Sequence, residues 1–355
     1  MSLNHAQTEA VAHNKGPCMV LAGPGSGKTL TIAKRIEYLI MKHKVRPEEI
    51  LVITFTKYAA WEMKNRTRSI CGPSSYAVTF GTFHGIYYGI LKWAYRLNQS
   101  NLLSDEEKYR ILREILPGID WDQEPEADEE KDYLQELAIE IGNVKNNCMD
   151  IEEYEPVKYT TEKFRKLYRT YEETKKKYRK IDFEDMLIQC RDLFMKRPDI
   201  LKKWQEKFQY ILVDEFQDVN QAQYDVVRML AAPQDNLFVV GDDDQSVYGF
   251  RGAKPGIMME FMKDYPKARQ ILLDVNYRSS GYIVKGALRV IGNNKIRFEK
   301  KIEAFRKPDE TVHVQEVKDP VQEAEYVLER IREYREKGVS YTEMAVLYRT
   351  NVDAR

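Results

Sequence analysis

Eight residues near the start of the chain have the types and spacing of a loop that binds nucleotide phosphates. They are Ala22, Gly23, Pro24, Gly25, Ser26, Gly27, Lys28 and Thr29. Glycines let backbone N–H groups turn toward phosphate oxygens, the lysine reaches the β- and γ-phosphates, and the hydroxyl that follows it can bind Mg²⁺. Ala22 replaces the first glycine of the usual pattern, and its small side chain suffices there. The sequence therefore predicts a site for a nucleoside triphosphate with Mg²⁺.

Two adjacent acids, Asp214 and Glu215, directly follow an apolar run over residues 208–213. Charge at the end of a buried strand is costly unless a cation or a hydrogen-bond donor pairs with it. We therefore expect Asp214 to hold Mg²⁺ through its water shell. Glu215 is then placed to orient or deprotonate the water that attacks the nucleotide.

A third polar segment, residues 241–253, follows the apolar run 236–240. Its amide, Gln245, could sense a γ-phosphate, and its aromatic residues Tyr248 and Phe250 are spaced to face a base. One loop could thus respond to both phosphate and base. The three consecutive aspartates at 242–244 lack the spacing and the terminal glutamate of an EF-hand calcium loop.

The remaining candidate residues are harder to assign from their own sequence neighbours. Gln7 could read an adenine edge because a carboxamide both donates and accepts, although a surface glutamine is the simpler interpretation. Phe55, Thr82, Phe83 and His84 follow two further apolar runs and should lie beside the nucleotide or a ligand coupled to it, with core packing as the alternative for Phe55 and Phe83. A metal site at His84 is not expected, because no second ligand stands near it.

The elements that must position these residues repeat as strand, polar loop and helix. This alternation predicts an α/β fold whose parallel sheet gathers its loops at the carboxyl edge. The predicted strands span 18–21, 49–54, 76–80, 208–213, 236–240 and 268–273. About 190 residues separate Lys28 from Asp214, far more than one or two strand–helix units need, so a helical segment must be inserted into the first sheet.

The inserted segment is long, charged and helical, and the pattern changes again after it. Residues 158–179 combine Lys and Arg with aromatic residues, so this helix could follow a nucleic-acid backbone, although a solvated face is the simpler interpretation. Beyond residue 275 the pattern predicts a helix over 281–291, a strand over 312–317, a helix over 321–335 and a strand over 344–348. We expect these elements to begin a second α/β domain and the chain to be a fragment. A short helix over 8–13 is expected before the first strand.

Composition restricts the class of protein. The 355 residues are 32% charged and 43% hydrophobic with zero formal net charge, which is typical of a soluble globular protein. A neutral total does not exclude nucleic acid, because binding depends on a local patch. The four cysteines have no zinc spacing and are expected to be reduced thiols in the cytoplasm. No run is long and apolar enough for a membrane span, so no membrane partner is expected.

Together the motifs closely resemble the UvrD/Rep/PcrA family of superfamily 1 DNA helicases. The matching segments are Leu3–Gln7, Ala22–Thr29, Thr54–Ala60, Thr82–Gly85, Val213–Asp218, Val240–Ala253, Asn276–Ser279 and Leu347–Asn351. The resemblance covers the whole chain, with the inserted helices matching only in placement. It implies a RecA-like P-loop NTPase sheet with an inserted all-helical subdomain and the start of a second RecA-like domain. The implied limits are 1–86 with 205–275, 87–204, and 276–355.

The resemblance also implies an activity and residue roles. Family members are ATP-dependent helicases that use Mg²⁺ and translocate 3′ to 5′ on single-stranded DNA and at junctions with duplex DNA. Gln7 would read adenine and Tyr277 would stack on it; Lys28 and Thr29 would hold phosphate and Mg²⁺. In the same family, Asp214 is the metal-side acid and Glu215 the base, and Gln245 and Arg278 contact the γ-phosphate. The single-strand channel would be lined by Phe55, Thr82, His84, Tyr248 and Phe250.

Some positions depart from the family pattern. Lys57-Tyr58 replaces the common Asn-Lys, Leu30 replaces an arginine, and Phe250 replaces a tryptophan, which should weaken stacking. The later family motifs, including a second arginine at the γ-phosphate, have no counterpart. Two alternatives therefore stay open, the motor part of a helicase–nuclease subunit and a module that binds ATP and DNA with little turnover. A P-loop small-molecule kinase is disfavoured, because it does not explain residues 241–253 or 276–279. The sequence leaves the pathway, including DNA repair, and the protein partners unassigned.

Overall fold

The computed structural model describes residues 3–119, 130–246, 253–254, 256–307 and 311–348. Within them the helices are α1 His5–Ala12, α2 Lys28–Met41, α3 Lys57–Cys71, α4 Phe83–Tyr95, α5 Asp105–Ile115, α6 Glu130–Asn146, α7 Thr161–Lys177, α8 Phe183–Lys196, α9 Pro198–Lys207, α10 Gln221–Ala231, α11 Ile257–Asp264, α12 Gly281–Ile291 and α13 Pro320–Glu336. The strands are β1 Cys18–Ala22, β2 Ile50–Thr54, β3 Thr79–Thr82, β4 Tyr210–Val213, β5 Leu237–Gly241, β6 Arg269–Leu273, β7 Val275–Ser280 and β8 Glu303–Arg306.

The predicted parallel sheet is confirmed. Across the described residues it has six strands in the order β3-β2-β4-β5-β1-β6, and every neighbouring pair is parallel. Side chains of β1 alternate between two cores: Met19 and Leu21 pack on one face, and Cys18 and Val20 on the other. Helices cover both faces, which explains why β1, β2, β4 and β5 are buried along their whole length.

Parallel pairing gathers the functional loops at one edge. The carboxyl ends of β1 to β5 lead directly into Gly23, Phe55, Phe83, Asp214 and Asp242. Because these strands run in the same direction, residues far apart in sequence emerge side by side. This is the edge at which open α/β sheets bind their ligands.

The inserted helices have a core of their own. In α5, α6 and α7 this core contains Leu112, Leu137, Ile141, Phe164 and Tyr171. Phe164 and Tyr171 are fully buried. Both point into this helical core and cannot stack on bases, so the structure favours the simpler interpretation of α7, an amphipathic helix with a solvated basic face.

Several predicted element boundaries are wrong. Within residues 311–348 the structure has no strand at 312–317 or 344–348. A strand needs a hydrogen-bonded partner, and Val314 and Leu347 are instead 92% and 95% exposed. Helix α1 begins at His5 rather than at residue 8, because Asn4 and Gln7 form a capping box there. Strand β3 begins at Thr79 rather than at residue 76, since a 3₁₀ turn precedes it.

Two compact units divide the chain, Met1–Asp309 and Glu310–Arg355. The first contains the six-stranded sheet, the inserted helices and a small parallel pair of β7 with β8. The second contains α13, whose N-cap Asp319 accepts a hydrogen bond from the Gln322 backbone N–H. None of the described helices is long and apolar enough to cross a lipid bilayer. All four cysteines are free, as the sequence predicted.

Candidate functional site

The phosphate-binding loop is shaped by two glycines in the left-handed region. Gly25 has φ of 70° and Gly27 has φ of 87°. A Cβ added to Gly25 would lie 2.6 Å from Arg278 Cβ, and one on Gly27 would lie 2.8 Å from Gln7 Nε2. Both positions therefore require glycine for backbone conformation and for space. Helix α2 starts immediately afterwards at Lys28 with no side-chain cap, so its first N–H groups are available to an anion.

A cleft of about 720 Å³ opens above this loop. Its lining residues are Leu3, Asn4, Gln7, Pro24, Gly25, Ser26, Gly27, Lys28, Thr29, Leu30, Arg66, Glu215, Gln245, Tyr277, Arg278 and Phe305. Nearly all the residues predicted to contact the nucleotide thus lie around one cavity. Ala22 is the last residue of β1 and Gly23 follows it at the entrance of the loop, and Asp214 directly follows β4 and precedes Glu215.

Lys28 and Glu215 form an ion pair in the cleft. Lys28 Nζ donates to Glu215 Oε2 at 2.7 Å, with the two side chains 14% and 37% exposed. Glu215 has φ of 51°, a left-handed conformation that is uncommon outside glycine and that clusters at functional sites. The conformation turns its carboxylate toward the lysine of the loop. A carboxylate and an ammonium group that lie 187 positions apart in sequence are thereby held together in the cleft.

Asp214 lies at the buried end of β4, where a carboxylate is costly. Burial, and next the nearby charge of Glu215, raise the pKa of Asp214 to about 6. Its Oδ1 accepts a hydrogen bond from the Glu215 backbone N–H at 3.0 Å. A divalent cation would relieve this cost, and the Thr29 hydroxyl lining the cleft offers a second oxygen ligand. Hydroxyl and carboxylate oxygens are the donors that Mg²⁺ prefers, so these residues fit the ion.

At the other end of the cleft, Gln7 and Tyr277 meet through a residue that the sequence analysis missed. Asn4 Nδ2 donates to the Tyr277 hydroxyl at 2.9 Å, and Gln7 Nε2 donates to the Ser26 carbonyl at 2.9 Å. Gln7 Oε1 accepts from the Asn4 backbone N–H. A carboxamide has two donors and two acceptor sites, so Gln7 keeps one of each for a base edge. The capping-box spacing of Asn4 and Gln7 was the available sequence signal.

Two arginines add positive charge. Arg278 is exposed on β7, which is attached to the phosphate loop because Tyr277 N–H donates to the Gly25 carbonyl at 2.9 Å. Arg66, on α3, also lines the cleft, although the sequence analysis assigned it no role. Nothing in its local pattern distinguishes it from the other exposed cations of that helix. Only the packing of α3 against α2 brings it to the nucleotide side.

A second cleft, of about 600 Å³, lies between the sheet edge and the inserted helices. Phe55 and His84 line it, and the His84 ring contacts Phe183 edge to face at 5.6 Å. Burial lowers the pKa of His84, so its ring is neutral at pH 7. Thr82 caps α4 by accepting from the Gly85 N–H at 3.1 Å. Phe83 also borders this cleft, but it is only 1% exposed and packs in the core, which was the alternative expected for it.

The two remaining predicted nucleic-acid residues, Tyr248 and Phe250, lie outside the described residues. The loop that carries them begins at Asp242, at the same sheet edge. Gln245, the last predicted nucleotide residue, lines the first cleft.

Two family models match this chain. A family model for the UvrD/REP helicase N-terminal domain matches residues 3–266, and one for the UvrD-like helicase C-terminal domain matches residues 271–355. A putative ATP-dependent DNA helicase of Bacillus subtilis, YjcD, is 39% identical, with 100% of this chain and 47% of the relative aligned. The ATP-dependent DNA helicase PcrA of Staphylococcus aureus is 36% identical, with 99% and 48% aligned.

The PcrA helicase of Staphylococcus epidermidis is 35% identical, with 100% of this chain and 49% of the relative aligned. The chain therefore spans about half the length of the curated relatives that it matches. The first family model covers most of the chain, and its region contains both the phosphate loop and the Lys28–Glu215 pair. On these grounds the chain belongs to the UvrD/REP helicase family, as its motifs predicted.

Proposed function

We propose that this chain provides the N-terminal motor part of an ATP-dependent 3′ to 5′ DNA helicase that translocates on single-stranded DNA. The observation that carries the proposal is the convergence of Lys28, Glu215, Gln245 and Arg278 on one cleft above a phosphate-binding loop. The relatives are named ATP-dependent DNA helicases, which supports the same activity class.

In this proposal, the residues of the cleft act on the nucleotide phosphates one after another. ATP supplies the phosphoanhydride bond and Mg²⁺ the charge neutralisation, with Thr29 and Asp214 as the residues that would hold the ion. Lys28 and the first N–H groups of α2 bind the phosphates. Lys28 then shares its charge with them, which releases the Glu215 carboxylate from its 2.7 Å contact. The freed carboxylate can orient the attacking water and accept its proton.

The other cleft residues set specificity and timing. Gln7 would read the adenine edge with its remaining donor and acceptor while Tyr277 stacks on the ring. Gln245 and Arg278 would contact the γ-phosphate. Charge developing in the transition state would then be stabilised only when the loop that carries Gln245 and the strand β7 that carries Arg278 are in place. Nucleotide state would thereby be communicated to the segments that bind DNA.

The DNA side of the proposal uses the second cleft. Phe55, Thr82 and His84 would line the single-strand path together with Tyr248 and Phe250, at single-strand/duplex junctions. Base stacking on such aromatics is worth about 1–3 kcal/mol per base. Support comes from the position of Phe55 and His84 in a cleft beside the catalytic edge. The family resemblance is the support for the proposed 3′ to 5′ direction.

The proposed domain limits are residues 1–86 with 205–275 for the first RecA-like domain, 87–204 for the inserted subdomain and 276–355 for a second RecA-like domain. The separate core of α5 to α7 supports an inserted subdomain. The free cysteines suit a reducing compartment, and we place the protein in the cytoplasm.

The test is ATP hydrolysis by the complete product of the gene that encodes this chain, with and without single-stranded DNA. Glu215→Gln should retain nucleotide binding but lower hydrolysis at least about 100-fold, because the base is lost while Asp214 is kept. The matched control is Glu206→Gln, an exposed acid on α9. Unchanged hydrolysis in Glu215→Gln would remove that residue from its role. Nucleotide and DNA binding without hydrolysis in the wild type would favour the binding-module alternative.

A further inference from the structure

Lys300, which the motif analysis did not single out, is fully buried beside the three aspartates that follow β5. Its Nζ lies 2.5 Å from Asp242 Oδ1, 2.6 Å from Asp243 Oδ1 and 2.7 Å from Asp244 Oδ2, and its side chain is 0% exposed. One ammonium group thus uses its three donors on three carboxylates. The position that a metal ion would take among these oxygens is filled by the lysine.

The segment around Lys300 is attached to the same loop at further points. Arg297 binds Asp244 with two nitrogens, Nε at 2.8 Å and Nη2 at 2.6 Å. The Phe298 N–H donates to Asp243 Oδ2 at 2.8 Å. Because Arg297 and Phe298 already satisfy part of Asp244 and Asp243, the distinct contribution of Lys300 is its bond to Asp242.

Asp242 connects this buried charge to the nucleotide cleft. Its second oxygen, Oδ2, accepts from Gln245 Nε2 at 2.7 Å, and Asp242 is only 2% exposed. The carboxylate is therefore held between Lys300 on one oxygen and Gln245 on the other. Gln245 lines the nucleotide cleft, so the direction of its amide depends on where this carboxylate is held.

The network continues to the base through Gln217. The Asp242 backbone N–H donates to Gln217 Oε1 at 3.0 Å, and Gln217 Nε2 donates to Glu215 Oε2 at 2.9 Å. Gln217 is 3% exposed, and Glu215 Oε2 is also the atom that binds Lys28. An unbroken series of polar contacts, buried as far as Gln217, thus links Lys300 to Lys28.

We propose that Lys300 is a positioning residue for ATP hydrolysis: it fixes Gln245 through Asp242, and Glu215 through Asp242 and Gln217. The inference rests on the proposed function and adds a residue outside the sequence motifs. Without the ammonium group, the three neighbouring carboxylates repel one another, and the buried Asp242 must move or take up water. Gln245 then loses its fixed acceptor, and the γ-phosphate is no longer met by an oriented amide.

The experiment compares Lys300→Met with Lys301→Met in the complete gene product. Lys301 is the adjacent, exposed lysine and controls for loss of a positive charge. Two quantities are measured: kcat for single-strand-stimulated ATP hydrolysis, and the ratio of affinities for a non-hydrolysable ATP analogue and ADP. In Lys300→Met, the loss of a hydrogen bond to a charged group should lower kcat about tenfold. The preference for the ATP analogue over ADP should also fall about tenfold. Lys301→Met should match the wild type, and Lys300→Arg should recover part of both effects.

A purely structural lysine would lower thermal stability without changing the affinity ratio. Lys300→Met combined with Asp243→Asn separates the two roles, because it restores the charge balance and leaves Asp242 without its lysine. If this double variant melts like the wild type but keeps the narrowed ratio, the inference is supported. If Lys300→Met or the double variant has the wild-type ratio and kcat, the inference is wrong. A wild type that does not hydrolyse ATP refutes the proposed function instead, and the affinity ratio still tests Lys300.

Discussion

The Lys175→Met substitution should destabilise the inserted helices more than any substitution of an exposed residue in α7. Lys175 Nζ lies 2.7 Å from Asp182 Oδ2, 2.5 Å from Asp185 Oδ2 and 2.8 Å from Glu172 Oε1. The Lys175 side chain is 2% exposed and that of Asp182 is 1% exposed. Lys145 is the second cation of this cluster, 3.0 Å from Asp182 and 2.7 Å from Asp185.

The expected loss of folding free energy follows from the carboxylates that lose their ammonium partner. After the substitution, one ammonium group must compensate three carboxylates, two of them buried. Removing one partner of a buried ion pair costs about 3–5 kcal/mol, because the remaining charge stays desolvated. Lys176 is the adjacent, exposed lysine of α7, and Lys176→Met should change the free energy of unfolding by less than about 0.5 kcal/mol.

The difference in stability between the wild type and Lys175→Met should become smaller as the pH falls. Burial raises the pKa of Asp182, but Lys145 and Lys175 outweigh it and hold this pKa well below its ordinary value. A lowered carboxyl pKa contributes stability above the unfolded-state pKa of about 4, and that contribution is lost as pH falls toward the folded-state pKa. The wild type therefore loses more stability on acidification than Lys175→Met, and the gap between them narrows below about pH 4.

Urea unfolding followed by circular dichroism, at pH 7 and at intervals down to pH 3, measures both effects. Lys176→Met is run in parallel at each pH. The reasoning is refuted if Lys175→Met and Lys176→Met differ by less than about 1 kcal/mol at pH 7, since the buried pair would then contribute no more than a surface charge. A gap that widens on acidification would refute the assignment of the effect to Asp182.

Two further substitutions test the two clefts. Gly27→Ala should weaken nucleotide binding about tenfold in a fluorescence titration, because the left-handed backbone costs about 1–2 kcal/mol and the new Cβ meets Gln7 Nε2 at 2.8 Å. Gly118→Ala, whose added Cβ meets nothing within 4 Å, is its control, and equal affinities would contradict the stated role of Gly27. Phe55→Ala should weaken single-stranded DNA binding by about 1–3 kcal/mol in an anisotropy titration. Tyr341→Ala, an exposed aromatic residue, serves as the comparison, and unchanged affinity in Phe55→Ala would make Phe55 a core residue only.

The sequence by itself determined the elements whose signal is local. The glycine-rich turn before Lys28 and the acids after β4 are read from neighbours along the chain, because a tight turn needs glycine and a buried strand end excludes unpaired charge. The alternation of apolar runs and helices fixed the parallel sheet for the same reason. Family membership followed from the order of these local motifs.

Tertiary structure alone decided the contacts between distant segments. Asn4 meets Tyr277, and Lys300 meets Asp242, only after the sheet has brought their loops to one edge. Such pairs produce no recognisable pattern in the sequence, because each residue alone resembles an ordinary surface amide or charged side chain. The expected strands at 312–317 and 344–348 were wrong for a related reason: an apolar, β-branched run favours a strand, but a strand forms only where a partner accepts its hydrogen bonds.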